Sequence, residues 1–318
     1  MAAYKTLKGQ SIRQVAQDPT NPQLGEIWYN TTIGVLKGYQ TFGAWASGGA
    51  LGTARYNMGS AIGGTQTAAL GFGGREPYVA DTEEYNGSTW SEQNNLNTAR
   101  AQLGGAGTQT AALGFGGTQP SPPVNLTEEY DGSSWTVGGV LNTARRLLYG
   151  AGTQTAGLAY GGGPPDTTST EEYDGSSWTA SEGLNSARRA LAGAGTQTAA
   201  LAFGGASASD ATEEYDGSSW TNVNGLSSGR AYLAGFGIQT AAIAVGGFPS
   251  PHKPLTEEYD GTSWTSKADL ATGRAEGGGA GTTSAGLYFG GSPGPAGVTT
   301  TEEFTGAVNV ALKITTST

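Results

Sequence analysis

One arginine recurs along the 318-residue chain as Arg55, Arg100, Arg145, Arg188, Arg230 and Arg274, at intervals of 42 to 45 residues. A glycine doublet recurs six times between Gly73-Gly74 and Gly290-Gly291, and an acidic doublet six times between Glu83-Glu84 and Glu302-Glu303. A period of this length fixes the architecture before any single motif is read, because each unit must bury its apolar face against copies of itself.

Tryptophan breaks the count in an informative way. Trp90, Trp135, Trp178, Trp220 and Trp264 each follow Glu-Glu-Tyr and each lies ten residues before the next arginine. The sixth acidic doublet is followed by Phe304 and no tryptophan, whereas Trp45 lies ten residues before Arg55 with no acidic doublet ahead of it. The chain therefore begins with the end of a repeat and finishes with the start of one. Two half-repeats that complement each other suit a closed ring, in which a shared sheet removes the exposed edges. A linear solenoid prefers atypical caps. The expected fold is all-β, a six-bladed propeller closed by pairing of its N- and C-terminal segments. VNVALKI, residues 308–314, competes with the Trp45 segment for the closing position.

Within a repeat, RAQLGGAGT and QTAALGFGG read as the first two strands, TEEY as the third, and the fourth starts at the tryptophan. Asp-Gly pairs at Asp131, Asp174, Asp216 and Asp260, with Asn86-Gly87 in the first copy, mark tight turns. The small first strand belongs nearest the axis, where blades crowd. The tryptophans belong between blades, each burying roughly 150–250 Å². One acid of each doublet is expected to form a buried ion pair with an arginine of the sixfold set. The domain boundaries drawn are 1–44 for an N-terminal anchor, 45–308 for the propeller and 309–318 for a tail. In the anchor, Asp18-Pro19 and Asn21-Pro22 mark turns, and GEIWYNTTIGVLKGY reads as two strands around Asn30-Thr31-Thr32.

Composition excludes several functions. A net charge of -10 opposes a nucleic-acid footprint, and twelve of the 26 acids lie in the repeated doublets. Cysteine is absent and His252, in a proline-rich loop, is the single histidine, so a Ser-His-Asp relay or a histidine-rich metal site has almost no material. No metal and no cofactor is expected. No apolar run approaches a membrane span, and the opening MAAYKTLKGQSIRQVAQDPT lacks the apolar core of a signal peptide. A pair of catalytic carboxylates is needed once, so six Glu-Glu copies read as architecture. An acid-only glycosidase survives as a minor alternative, with the unrepeated Asp166 or Asp210 as its candidate.

Consecutive strands alternate in direction, so the loops between second and third strands share a face with those running from the tryptophan strand to the arginine. These loops diverge: REPYVADT, TQPSPPVNLT, GPPDTTST, ASASDAT, FPSPHKPLT and SPGPAGVTT. The turns on the opposite face, GAGTQT and DGSS, barely change. Loops on a rigid scaffold are where binding is placed. The candidate binding residues are Arg75, Tyr78, Gln119, Pro122, Pro165, Asp166, Asp210, Pro249, His252, Lys253 and Pro295. Trp28, Tyr29 and Lys37 are the docking candidates of the N-terminal segment.

The order of arginine, small inner strand, apolar strand ending in Gly-Gly, then tyrosine and tryptophan resembles the kelch repeat over residues 45 to 308. That resemblance implies a propeller closed by strand sharing between the termini. Phe304 in place of tyrosine and two extra residues between Arg55 and its glycine doublet depart from the pattern. LGEIWYNTTIGVLKG, followed by near-identical TQTAALGFGG and TEEYDGSSWT copies, resembles virion proteins of tailed phages of marine bacteria. This implies a non-enzymatic tail-fibre, tail-associated or decoration protein, assembled in the host bacterial cytoplasm and carried in the virion. Residues 1–44 would then dock on other virion proteins, with copies associating in the particle, and the propeller would face a protein or carbohydrate of the host surface. A bacterial scaffold or lectin module without a virion role is the alternative.

Overall fold

The computed structural model describes residues 13–17, 27–32, 34–39, 43–207, 209–306 and 309–311. It divides into two units, 44–305 and a smaller one formed by the two chain ends.

The larger unit is a six-bladed β-propeller, each blade a four-stranded antiparallel sheet. Blade 2 is representative, with Gly104–Thr108, Ala111–Phe115, Thr127–Tyr130 and Trp135–Val137 in sequence order across the sheet. Blades 1, 3, 4 and 5 follow the same order, beginning at Gly59–Ser60, Tyr149–Gly152, Ala192–Gly195 and Ala234–Ile238. Blade 6 takes Gly278–Gly281, Ala285–Phe289 and Thr301–Thr305 from the end of the chain and its fourth strand, Ala44–Ser47, from the beginning. Phe304 pairs with Trp45 and Glu302 with Ser47 in that antiparallel ladder. The two half-repeats thus complete one blade. The competing segment does not: Asn309–Ala311 pairs with Val35–Tyr39 in the smaller unit. Val308 and residues 312–314 lie outside the described residues.

First strands touch each other around the axis. Their glycines permit this: a Cβ at Gly105 would lie 2.3 Å from the Ser60 carbonyl of the preceding blade. The tryptophans fill the wedges further out. Each donates its indole N–H to the threonine that opens the third strand of the preceding blade, as Trp135 does to Thr82 (2.9 Å) and Trp178 to Thr127 (2.9 Å). The same bond crosses the closure, from Trp90 to Thr301 and from Trp45 to Thr256. Phe72 packs edge-on against Trp135 at 4.9 Å between ring centres, and Tyr130 flanks its other side at 5.1 Å.

The acidic doublets divide their labour. Their first glutamates pair within the blade: Arg55–Glu83 (2.9 Å), Arg100–Glu128 (2.5 Å), Arg145–Glu171, Arg188–Glu213 (2.9 Å), Arg230–Glu257 (3.0 Å) and Arg274–Glu302 (2.7 Å). All twelve residues are buried. Burial pulls the guanidinium pKa of Arg55, Arg100, Arg188 and Arg230 below its ordinary value, and the paired carboxylate opposes the shift. The second glutamates work between blades. Glu84, Glu129, Glu172, Glu214 and Glu303 each accept the phenolic hydroxyl of the next blade's Tyr130, Tyr173, Tyr215, Tyr259 and Tyr85.

In the smaller unit, Ile27–Asn30 and Val35–Tyr39 form the hairpin predicted around Thr31-Thr32, with Arg13–Val15 added in parallel. Asp18-Pro19 and Asn21-Pro22 lie outside the described residues. Trp28 is buried and Tyr29 exposed. Lys37 is registered opposite Trp28.

Candidate functional site

The loop face is built by docking each second-to-third-strand loop against the next blade. Gly74 donates its N–H to the Arg100 carbonyl and Leu96 donates to the Ala80 carbonyl, both at 2.9 Å, and equivalent bonds recur around the ring. This is what the glycine doublet is for. Gly73 has φ +64°, and a Cβ there would stand 2.6 Å from the Arg100 carbonyl oxygen. A constant backbone joint therefore carries loops of inconstant sequence.

The predicted binding residues all lie on this face but do not converge. On blade 1 the Arg75 guanidinium stacks over Tyr56 at 5.7 Å and Tyr78 at 5.4 Å. Its neighbour Glu76 accepts the Gly297 N–H of blade 6 at 3.0 Å. Gln119 gives its carbonyl to the Thr118 hydroxyl, and Pro122 beside it is exposed. Asp166 is held in an ion pair by Arg189, with Pro165 exposed beside it. Asp210 is exposed on blade 4, and its carbonyl accepts the Leu226 N–H at 2.8 Å. On blade 5 the His252 imidazole Nδ1 is 2.9 Å from the Ser292 carbonyl of blade 6, Lys253 donates its backbone N–H to Gly247, and Pro249 is half-buried. Pro295 is exposed on blade 6. Among the described residues no group of three or more histidines and acids is placed to hold a metal.

The feature that does converge lies on the axis. The residues two places after each arginine, Asn57, Gln102, Leu147, Ala190, Tyr232 and Glu276, have left-handed backbones, with φ between 53° and 65°. None is glycine, so each pays a steric cost of about 1–2 kcal/mol. A closed cycle of hydrogen bonds holds them. Asn57 N–H donates to the Glu276 carbonyl at 2.7 Å, and Gln102 to Asn57, Leu147 to Gln102, Ala190 to Leu147, Tyr232 to Ala190 and Glu276 to Tyr232 at 2.8 Å each. The side chains around this collar line a cavity of about 60 Å³. Its polar arc is Glu276, Asn57 and Gln102; the rest is Leu147, Ala190 and Tyr232, over buried leucines. Asn57 Nδ2 donates to Glu276 Oε1 at 3.1 Å. Burial raises the pKa of Glu276 above its ordinary value, opposed by that hydrogen bond and by the charges of His252 and Arg75.

The cavity has a floor. Tyr149, which also lines it, reaches across the axis from blade 3 so that its hydroxyl donates to the Gly235 carbonyl of blade 5 at 2.8 Å and accepts the Gly235 N–H at 3.1 Å. At the far end, the two extra residues of blade 1 carry Ile62 into the apolar cluster of Ala151 and Leu158 in blade 3, and Gly63 N–H bonds the Gly107 carbonyl of blade 2 at 2.9 Å. The axis is thus a blind pit opening on the loop face.

The structure is similar to that of YjhT, with a TM-score of 0.67 at 14% sequence identity over 82% of this chain and 99% of that one. That likeness concerns the fold. No protein-family model and no curated protein matches the chain.

Proposed function

We propose that this protein is a non-enzymatic virion component whose smaller unit docks on other virion proteins and whose propeller presents its loop face to a protein or carbohydrate of the host surface. The observation that carries the binding half is the contrast between faces. Six backbone joints of one geometry hold loops that share almost no sequence, while the turns of the opposite face repeat Asp-Gly-Ser-Ser nearly unchanged. The blade grammar of arginine, glycine doublet, tyrosine and tryptophan supports a kelch-type propeller. The pairing of Asp166 with Arg189 supports a binding role over an acid-catalysed one. The virion half rests on the likeness of the N-terminal segment and the repeats to phage structural proteins.

Mass spectrometry of purified particles tests the virion role, and detection only in uninfected cells overturns it. A glycan array, with the loop from Phe248 to Leu255 exchanged for Gly-Ser repeats, tests the face. Loss of binding with an unchanged melting temperature is the expected result. Unchanged binding after exchange of every such loop overturns it. A bacterial scaffold or lectin built on the same face is the second reading, favoured by the same loop divergence.

A further inference from the structure

We infer that the axial pit binds a primary ammonium group on an alkyl stem, supplied by a lysine side chain of a partner or by a free amine. The inference rests on the loop face being the binding face and names chemistry for its centre.

The lining defines the ligand by what it offers and what it withholds. Its polar arc carries the Glu276 carboxylate with the amide side chains of Asn57 and Gln102 beside it. Gln102 Oε1 is buried and has no hydrogen-bond partner. No cationic side chain lines the pit. An anion would meet the Glu276 carboxylate, and the charges of His252 and Arg75 that act on that carboxylate stand outside the lining.

Size narrows the choice. A cavity of about 60 Å³ equals roughly two waters at ~30 Å³ each. It admits the tip of a side chain and is too small for a sugar ring. Leu147, Ala190 and Tyr232 offer the remaining wall an apolar surface for methylenes. An ammonium has three donors and no acceptor, which matches acceptors on one side and hydrocarbon on the other. The collar is pre-formed by its cyclic hydrogen bonds, so little ordering accompanies binding.

The chain supplies its own reporter. Met58 lines the pit, and the sequence holds only one other methionine, Met1. Protein carrying ¹³C-methyl methionine is titrated with n-butylammonium chloride, with n-butanol and potassium chloride as matched controls. The expected result is a saturable shift of the Met58 methyl signal with butylammonium alone. Glu276→Gln, which keeps an acceptor for Asn57, weakens the response about tenfold or more, and Gln102→Leu weakens it by a smaller factor. No shift, an equal shift with butanol, or an unchanged response in both variants overturns the inference. Nα-acetyl-lysine methylamide separates the sources: a tighter response than butylammonium assigns the pit to a lysine of a protein, and an equal one to free amines. A Met58 response that survives exchange of the outer loops, while partner binding is lost, distinguishes the pit from the loop-face reading.

Discussion

Lys267 Nζ stands 3.0 Å from Glu258 Oε2, at the one blade seam where no tyrosine reaches the second glutamate. At the other five seams a tyrosine hydroxyl fills this role, but blade 6 carries Phe304 at the tyrosine position. The other blades place Gly48, Gln93, Gly138, Ser181 and Val223 at the lysine's position, none of them a cation; a Cβ added at Gly138 would lie 2.8 Å from the Tyr173 hydroxyl and 2.9 Å from Glu129. One chain therefore shows two solutions to the same problem, a neutral phenolic donor from the next blade or a cation from the same blade.

Phe304 and Lys267 are therefore coupled. Lys267→Ser leaves Glu258 without its partner and lowers stability, while Phe304→Tyr alone brings a hydroxyl against the lysine and gains little. The double variant rebuilds the arrangement of the other seams. It should exceed the sum of the single effects by on the order of 1 kcal/mol in denaturant unfolding. Strict additivity would show that the two positions do not share Glu258.

The same seam lacks a second clasp. Gln109 Nε2 donates to the Ala69 and Tyr85 carbonyls of the preceding blade at 3.1 and 2.8 Å, and Gln66, Gln154, Gln197 and Gln239 act alike. Blade 6 has Thr283 at this position. Thr283→Gln supplies donors to the Ala242 and Tyr259 carbonyls and should raise stability by about 0.5–1.5 kcal/mol. Hydrogen exchange should show the seam between blades 5 and 6 as the least protected, and Thr283→Gln should slow exchange there first. Equal protection at all six seams would count against this.

How much was readable depended on repetition. Arg100 and Glu128, or Trp135 and Thr82, belong to sets of six, and a set of six states a structural demand that one residue cannot. The half-repeats around Trp45 and Phe304 encoded the closure for the same reason. The axial collar was invisible because its demand falls on the backbone alone. Asn57, Gln102, Leu147, Ala190, Tyr232 and Glu276 share a left-handed φ and a hydrogen-bond cycle but no side-chain chemistry. Tyr149 and Ile62 close the axis from single copies. The two-residue insertion was visible as a length change, but its path across the axis depends on blades 2 and 3. Asn309–Ala311 gave no periodic signal, being a single edge strand.

Removing one partner of a buried ion pair should be severe. Arg100→Met leaves Glu128, which also accepts the Asn97 N–H at 2.7 Å, as an uncompensated buried charge. The expected loss is about 3–5 kcal/mol by chemical denaturation. Arg100→Met combined with Glu128→Gln should recover much of that loss, and a double variant as unstable as the single would locate the cost in packing.

The inter-blade tyrosines predict an alkaline limit. Burial, reinforced by the hydrogen bond to a glutamate, pushes the phenols of Tyr85, Tyr173 and Tyr215 from 10.0 up to about 12. A folded pKa above the unfolded value means that the stabilisation is complete below pH 10.0 and disappears as pH rises through about 12. Melting temperature should fall across that window. Replacing all three by Phe should flatten the fall while lowering the plateau at neutral pH, and an unchanged slope would place the alkaline sensitivity elsewhere.

The Asp-Gly turns set the acid limit, and blade 1 contains the control. Asp131 Oδ1 accepts the backbone N–H of Ser133 at 2.8 Å and of Ser134 at 2.7 Å, and Asp174, Asp216 and Asp260 repeat this geometry. Asn86 makes the same turn, accepting from Ser88 at 3.0 Å and Thr89 at 2.9 Å with a side chain that does not titrate. Hydrogen bonds from those serines hold the carboxyls of Asp131, Asp174 and Asp216 down from 3.8 to about 2. A depressed folded pKa contributes stability above pH 3.8 that is lost as pH falls toward about 2. Because Asn86 shows that the amide fits, replacing all four aspartates by asparagine should keep the fold and remove part of the decline between pH 3.8 and about 2. Thermal melts across that interval decide it: a decline as steep as that of the natural protein would place the acid sensitivity outside these turns.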